Sequence, residues 1–229
     1  MPDFRTRVLV VGAGQSGCVL ALELARNDVP SVLLERATRP PRRPELAVLR
    51  AAVHDHPLID LRAGWIFTGL RLEPDRTVAT VIDRGTRARH IFEAEYLVGC
   101  DGGQSTVRRS LAVVLDDALP FDVSRILEVT PWDGALGIAR TYRRGTAFLV
   151  GESAHRFHPC ASSAELSVRD AADLGGKLAA VLTGRGEIGL LDSYEGERRP
   201  CAVLEREALA RSLARRPASG HPTQDHVNT

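Results

Sequence analysis

Apolar positions along the chain fall into short blocks separated by glycine, proline or charge. Arg7 to Val11 is an apolar run of strand length, and Gly12-Ala13-Gly14-Gln15-Ser16-Gly17 follows it without a spacer. Residues Cys18 to Arg26 show helical periodicity through Leu20, Leu22 and Leu24. Ser31 to Leu34 is a second strand and closes on Glu35, after which Ala37 to Pro44 is a Pro/Arg-rich loop. A helix is predicted over Glu45 to His54. Apolar runs at Ile59–Leu61, Trp65–Leu72, Val78–Ile82 and His90–Phe92, separated by charged turns, predict an antiparallel meander.

Tyr96 to Cys100 is a further buried strand, running into Asp101-Gly102-Gly103-Gln104-Ser105 and a short helix over Thr106–Leu111. Residues 112–144 carry only modest strand signals. Ala147 to Val150 is a last buried strand and enters Gly151-Glu152-Ser153-Ala154-His155. Helices are predicted over Ser167–Leu182 and Leu190–Arg215, the second interrupted by Pro200. The polar tail, 217–229, is expected to be disordered.

Composition narrows the function classes. The 229 residues are 44% hydrophobic and 26% charged, enough for one domain with its own core. A net charge of +1 gives no reason to expect nucleic acid or an anionic membrane as partner. Cys18, Cys100, Cys160 and Cys201 are far apart with no C-x-x-C pair, which reads as free thiols in a reducing cytoplasm. Arg5 and Arg7 precede an apolar stretch, but its glycines and Glu23 are wrong for a signal peptide. No other segment approaches the ~20 apolar residues of a membrane span. The expected partner is a small-molecule substrate, with a homo-oligomer or a larger enzyme as the macromolecular options.

The glycine motif carries the clearest chemistry because it sits between a strand and a helix. Gly12 permits the tight turn, Gly14 lets backbone approach a pyrophosphate, and Gly17 lets helix and strand pack closely. The helix N-terminus offers N–H groups and a positive dipole end to phosphate. Glu35, 18 residues after Gly17, is placed to accept ribose hydroxyls.

Val8 to Arg36 resembles the opening βαβ of the FAD-dependent aromatic-ring hydroxylases, the group A flavoprotein monooxygenases that include 4-hydroxybenzoate hydroxylase. Tyr96 to Leu111 is similar to that family's D-G motif, and Phe148 to Pro159 to its G-D motif. Leu191 to Pro200 resembles the helix that follows. The resemblance implies an α/β, Rossmann-like FAD-binding fold of the glutathione-reductase type, with a three-stranded meander and a much-reduced substrate domain. It implies a single FAD-binding-fold domain over 1–216, with a remnant substrate lobe at about 112–144. It also implies FAD as cofactor, held by Gly12, Gly14, Gly17, Glu35, Arg36, Asp101, Gly102, Gly151 and Glu152.

Three departures bear on the chemistry. The family's G-D aspartate is Glu152 here, one methylene longer. The glycine-rich loop that lets backbone approach the isoalloxazine is replaced by Cys160-Ala161-Ser162-Ser163-Ala164-Glu165. Its side chains crowd the ring, and Glu165 adds a carboxylate where reduced flavin develops negative charge, both of which oppose flavin reduction. Only 66 positions separate Glu35 from Asp101, and 50 separate Asp101 from Gly151. That leaves little chain to build the closed, dry pocket a peroxyflavin needs.

Other constellations weigh less. Gly151 to His155 imitates a hydrolase nucleophile elbow, but His155 obstructs the turn where such an elbow has glycine. His155 and His158, with only Glu152 and Cys160 nearby, lack a metal ligand set, and no metal is expected. Trp132 and Phe157 are the candidate walls of a substrate pocket, and Arg108-Arg109, Arg143-Arg144 and Arg198-Arg199 read as solvated faces or helix-end partners. The leading expectation is a tailoring enzyme repurposed for non-redox cyclisation or rearrangement of a polyketide-type secondary metabolite. Glu152, His155 and His158 are its acid/base candidates. The alternatives are an FAD/NAD(P)H-dependent hydroxylase with a minimal substrate lobe, and a non-catalytic partner subunit.

Overall fold

The computed structural model describes residues 2–39, 43–117, 136–157 and 161–214. Trp132, His158, Cys160 and the tail 217–229 lie outside the described residues, as does most of the stretch 112–144.

The first three elements follow the expected strand, helix, strand order: β1 (Phe4–Val11), α1 (Gln15–Arg26) and β2 (Ser31–Glu35). Helix α2 (Pro44–His54) leads into β3 (Ile59–Ala63). β3 is not part of the meander. It pairs parallel with β2, with Ser31 opposite Ile59 and Glu35 opposite Ala63, because α2 is a crossover that returns the chain in the same direction. The meander proper is β4 (Trp65–Leu72), β5 (Thr77–Asp83) and β6 (Arg89–Gly99). The runs His90–Phe92 and Tyr96–Cys100 are one strand. Glu93 and Glu95 between them do not make a turn, and they pair with Arg5 and Arg7 of the neighbouring β1.

Long β6 joins the two parts of the sheet. It pairs antiparallel with β5 over Arg89–Ala94 and parallel with β1 over Phe92–Gly99. The strand β10 (Ala147–Leu149) lies parallel on its other side, followed by the two-residue β9 (Arg143–Arg144). The order is therefore β3-β2-β1-β6-β10-β9, with the meander attached through β5. Val8 to Val11 are all buried, as expected of a central parallel strand covered on both faces. A second small sheet, β11-β8-β7, comprises β7 (Leu115–Asp117), β8 (Gly137–Ala139) and β11 (His155–Arg156).

Three helices complete the described fold. Short α3 (Thr106–Ser110) follows β6. α4 (Ala161–Leu182) begins six residues earlier than the sequence pattern suggests and packs against α1. α5 (Ser193–Ala214) runs through Pro200 without a break. Buried Tyr194 and Ala202 anchor it on either side of the proline, and the Tyr194 hydroxyl donates to the Leu149 carbonyl at 2.9 Å. That packing outweighs the one hydrogen bond a helical proline gives up.

In strand order the chain starts at β1, builds outward through β2 and β3, then crosses to β6 on the other side. The order reverses between β1 and β6, which is where open α/β sheets form a ligand crevice beyond the strand C-termini. Gly12 and Asp101 leave the sheet at that point.

Candidate functional site

The crevice holds a cavity of about 290 Å³. Its wall runs from Val11, Gly12 and Gly14 through Leu34, Glu35 and Arg36 to Trp65–Phe67, and closes on Cys100–Gly102, Gln104 and Thr106. Gly12 has φ +101° and its N–H donates to the Leu34 carbonyl at 2.8 Å. A Cβ there would lie 2.5 Å from the Cys100 carbonyl oxygen, so only glycine fits between the two strand ends. At Gly17 a Cβ would lie 1.9 Å from the Gly12 carbonyl oxygen, which is how α1 sits directly on the loop. At Gly14 nothing lies within 4 Å, so the backbone is open to the cavity. No side chain caps α1, which leaves its first-turn N–H groups for a phosphate.

Glu35 is more heavily engaged than the sequence suggests. Its Oε2 accepts from the Ala13 N–H at 3.1 Å and from Arg50 Nη2 at 2.6 Å, and its Oε1 accepts from the Ala37 N–H at 2.8 Å. A carboxylate offers about four acceptor positions. About one is left for a ribose hydroxyl. Arg50, which sequence reasoning missed, also donates from Nε to the Ala13 carbonyl at 2.7 Å and so ties α2 to the glycine loop. Nothing in the sequence marks it, because its role depends on where α2 docks. Burial pushes the neighbouring Cys18 thiol up to about 11. Cys18, Cys100 and Cys201 are free thiols.

Asp101 borders the cavity, but its carboxylate turns into the start of α3. Oδ1 accepts from Ser105 Oγ at 2.5 Å, and Oδ2 accepts from the Thr106 and Val107 N–H groups at 2.6 and 3.1 Å. Its charge is thus held by α3 rather than presented to a ligand. Trp65, at the other wall, is stacked on His90 at 4.8 Å between ring centroids, with the Arg62 guanidinium 4.7 Å from its ring.

The second half of the predicted site is built differently. Gly151–Ser153 form a 3-10 turn after β10, fastened by Ser153 Oγ, which donates to the Gly99 carbonyl at 2.5 Å. Buried Arg108 bridges this turn to the D-G loop, donating to the Ser153 and Gly103 carbonyls at 2.7 Å each. It is therefore not a solvated arginine. Exposed Glu152 reaches back so that its Oε2 lies 3.8 Å from where a Gly102 Cβ would be. The side chain of Arg156 lies across Gly103, its Cγ 3.3 Å from the corresponding position there. No residue of 151–157 borders the cavity.

His155 is fully buried, stacked on Phe157 at 5.2 Å, and its Nε2 is 2.7 Å from Asp170 Oδ2. Asp170 also has no exposed side chain, and its Oδ1 accepts from Arg198 Nε at 2.8 Å. This three-residue cluster corrects the reading of Arg198 as solvated. It also gives His155 a bracing role, since no surface of the imidazole reaches a ligand. Asp170 was missed because an aspartate in an amphipathic helix carries no sign of its partners. Among the described residues, no three His, Cys, Asp or Glu side chains gather as a metal site, and no helix is long and apolar enough to cross a membrane.

A glycine-loop crevice at a sheet's switch point, with a carboxylate closing the second strand, defines a dinucleotide-binding α/β protein. The chain belongs to the FAD binding domain family, whose model matches residues 41–119 and 115–206. It is 45% identical over 93 residues to a proposed polyketide hydroxylase of Streptomyces halstedii, covering 40% of this chain and 16% of that protein. It is 30% identical over 221 residues to a rifampicin monooxygenase of Rhodococcus hoagii, covering 63% of this chain and 45% of that one. Identity is 36% over 129 residues to a dialkyldecalin synthase of Streptomyces rugosporus, covering 53% of this chain and 26% of that one. The chain thus spans less than half the length of each of these relatives. In fold it is similar to the flavin-dependent monooxygenase PieE, solved with FAD and substrate, at a TM-score of 0.83 and 19% identity over 93% of this chain and 64% of that one. It is also similar to the rebeccamycin biosynthetic enzyme RebC with reduced flavin, at 0.78 and 20% identity over 97% of this chain and 72% of that one.

The family implies FAD. The described residues fit its adenosine and phosphate end, where Gly14 is open and the start of α1 is uncapped. Of the loop that would face the flavin ring, residues 158–160 lie outside the described residues.

Proposed function

We propose that this chain is a tailoring enzyme of polyketide-type secondary metabolism that uses the flavoenzyme fold without flavin redox chemistry, to promote a cyclisation or rearrangement. The observation that carries this reading is Glu152 standing where the family has aspartate, beside a glycine loop that stays open at Gly14. The relatives support the metabolic setting, and a dialkyldecalin synthase among them supports a ring-forming role for this kind of scaffold. Holding a flexible substrate in one reactive conformer can by itself supply several kcal/mol of barrier reduction. Of the acid/base candidates, Glu152 is exposed and free to meet a substrate, whereas His155 braces Asp170 from inside.

The hydroxylase reading has its own support in the monooxygenases among the relatives. A spectrophotometric titration separates the two. With FAD and NADPH added to the purified full chain, the non-redox reading expects no bleaching of the flavin bands beyond the protein-free control. Protein-dependent bleaching coupled to NADPH oxidation would establish the hydroxylase reading instead.

A further inference from the structure

We infer that the outer face of the meander is a docking surface for a second copy of this chain, packed face to face about a twofold axis.

The face is apolar where a solvated sheet would be polar. Along β5, Thr77, Ala79 and Val81 are buried against the core, and the alternate residues Val78, Thr80 and Ile82 lie half-buried on the opposite side. An antiparallel sheet with one wet face normally carries polar side chains there. Ile91 extends the patch onto β6, opposite Thr80. With Pro2 and part of β4 these residues line an open groove of about 860 Å³, and among the described residues no helix borders it.

The sheet edge and the charge pattern fix how a copy would sit. Among the described residues β4 pairs only with β5, which makes it an edge strand. A bulge at Thr68 breaks its register between Phe67 and Gly69. A bulged edge is a poor template for strand addition, so contact through the face is favoured over contact through the edge. Charge then sets the direction. Across the ladder Ile82 lies opposite Arg89, Thr80 opposite Ile91, and Val78 opposite Glu93. A twofold axis along the Thr80–Ile91 row reverses that order in the second copy. Ile91 then meets the second copy's Ile91, Ile82 meets its Val78, and Arg89 meets its Glu93, each unlike pair occurring twice. A parallel arrangement would set Arg89 on Arg89 and Glu93 on Glu93, which repel. Arg89 is exposed and has no ion-pair partner among the described residues, and Glu93 has Arg5, itself largely exposed. A net charge of +1 adds little repulsion between whole molecules.

Size sets the strength. Four strands, β4, β5, β6 and the start of β1, lie about 4.8 Å apart and run about eight residues at roughly 3.3 Å each, on the order of 500 Å² per copy. Two copies then bury about 1,000 Å², the lower bound of a specific interface. The expected dimer is accordingly weak, with a dissociation constant in the micromolar range.

Sedimentation velocity of the full chain between about 1 and about 200 µM tests the inference. The mass is expected to rise with concentration from the 24.9 kDa of one chain toward twice that value. Arg89→Glu and Glu93→Arg each place like charges across the axis, and each is expected to weaken association at least roughly tenfold. The double variant restores unlike charges and is expected to return association to within about threefold of the unsubstituted chain. Thermal denaturation of each variant checks that the fold is kept, as expected of surface substitutions. A chain that stays monomeric throughout, alone or bound to a different protein, overturns the inference. So does a dimer that ignores both single substitutions, or one that the double substitution fails to restore.

Discussion

Replacing Asp170 with alanine is expected to cost about 3–5 kcal/mol of folding stability, read as a fall in the urea midpoint with little change in slope. The carboxylate has no exposed surface and holds both His155 and Arg198. Its removal leaves a largely buried guanidinium without its counter-charge and an imidazole without its acceptor. Arg198 Nη2 and His155 Nδ1 already lack hydrogen-bond partners, so the cluster has no spare contacts to absorb the loss. A domain of this kind has about 5–15 kcal/mol in total, so the loss should be a large share of its stability. Glu165→Ala supplies the control. Its pair with Arg169 is more than half exposed on both sides and should change stability by less than about 1 kcal/mol. A loss below about 1 kcal/mol for Asp170→Ala would show that the cluster does not hold α4 and α5 to β11.

The second large effect concerns the glycine loop and separates stability from binding. Gly17→Ala puts a methyl group 1.9 Å from the Gly12 carbonyl oxygen, a backbone atom that cannot rotate away. Helix α1 must then lift from the loop, with its buried Leu20, Ala21 and Leu24. The expected cost is about 3 kcal/mol or more, at the upper end of overpacking effects. Gly14→Ala is the opposite case. Its backbone is extended, with φ −73°, and its Cβ meets no atom within 4 Å, so the fold should be nearly unaffected. The methyl group instead stands where a phosphate would approach, and nucleotide affinity should fall by tenfold or more. Thermal denaturation and calorimetry of the two variants check both halves. Equal loss of stability in both would contradict the placement of the loop.

The sequence made the glycine loop legible because its constraints are local: strand, turn, helix and acid sit within 30 residues, each with its own steric signature. Elements fixed by distant partners were not legible. β3 was grouped with the meander, since an apolar run does not reveal which neighbour it pairs with or in which direction. β6 was divided in two, because Glu93 and Glu95 resemble a turn unless Arg5 and Arg7 are known to lie alongside. Arg108 and Arg198 read from sequence as solvated faces or helix-end partners, and they are held by groups 45 and 28 residues away respectively. The candidate site divides on the same line. Gly12, Gly14 and Glu35 lie where their spacing places them, around the cavity. The grip of Arg50 on Glu35 is a property of the folded chain alone.

Reduction by NADPH gives the most direct test of the central claim, that this fold works here without flavin redox chemistry. The purified full chain is mixed with FAD and NADPH, and the flavin bands are followed beside a protein-free control. The account predicts that the two traces decay alike. Protein-dependent bleaching coupled to NADPH oxidation would contradict it.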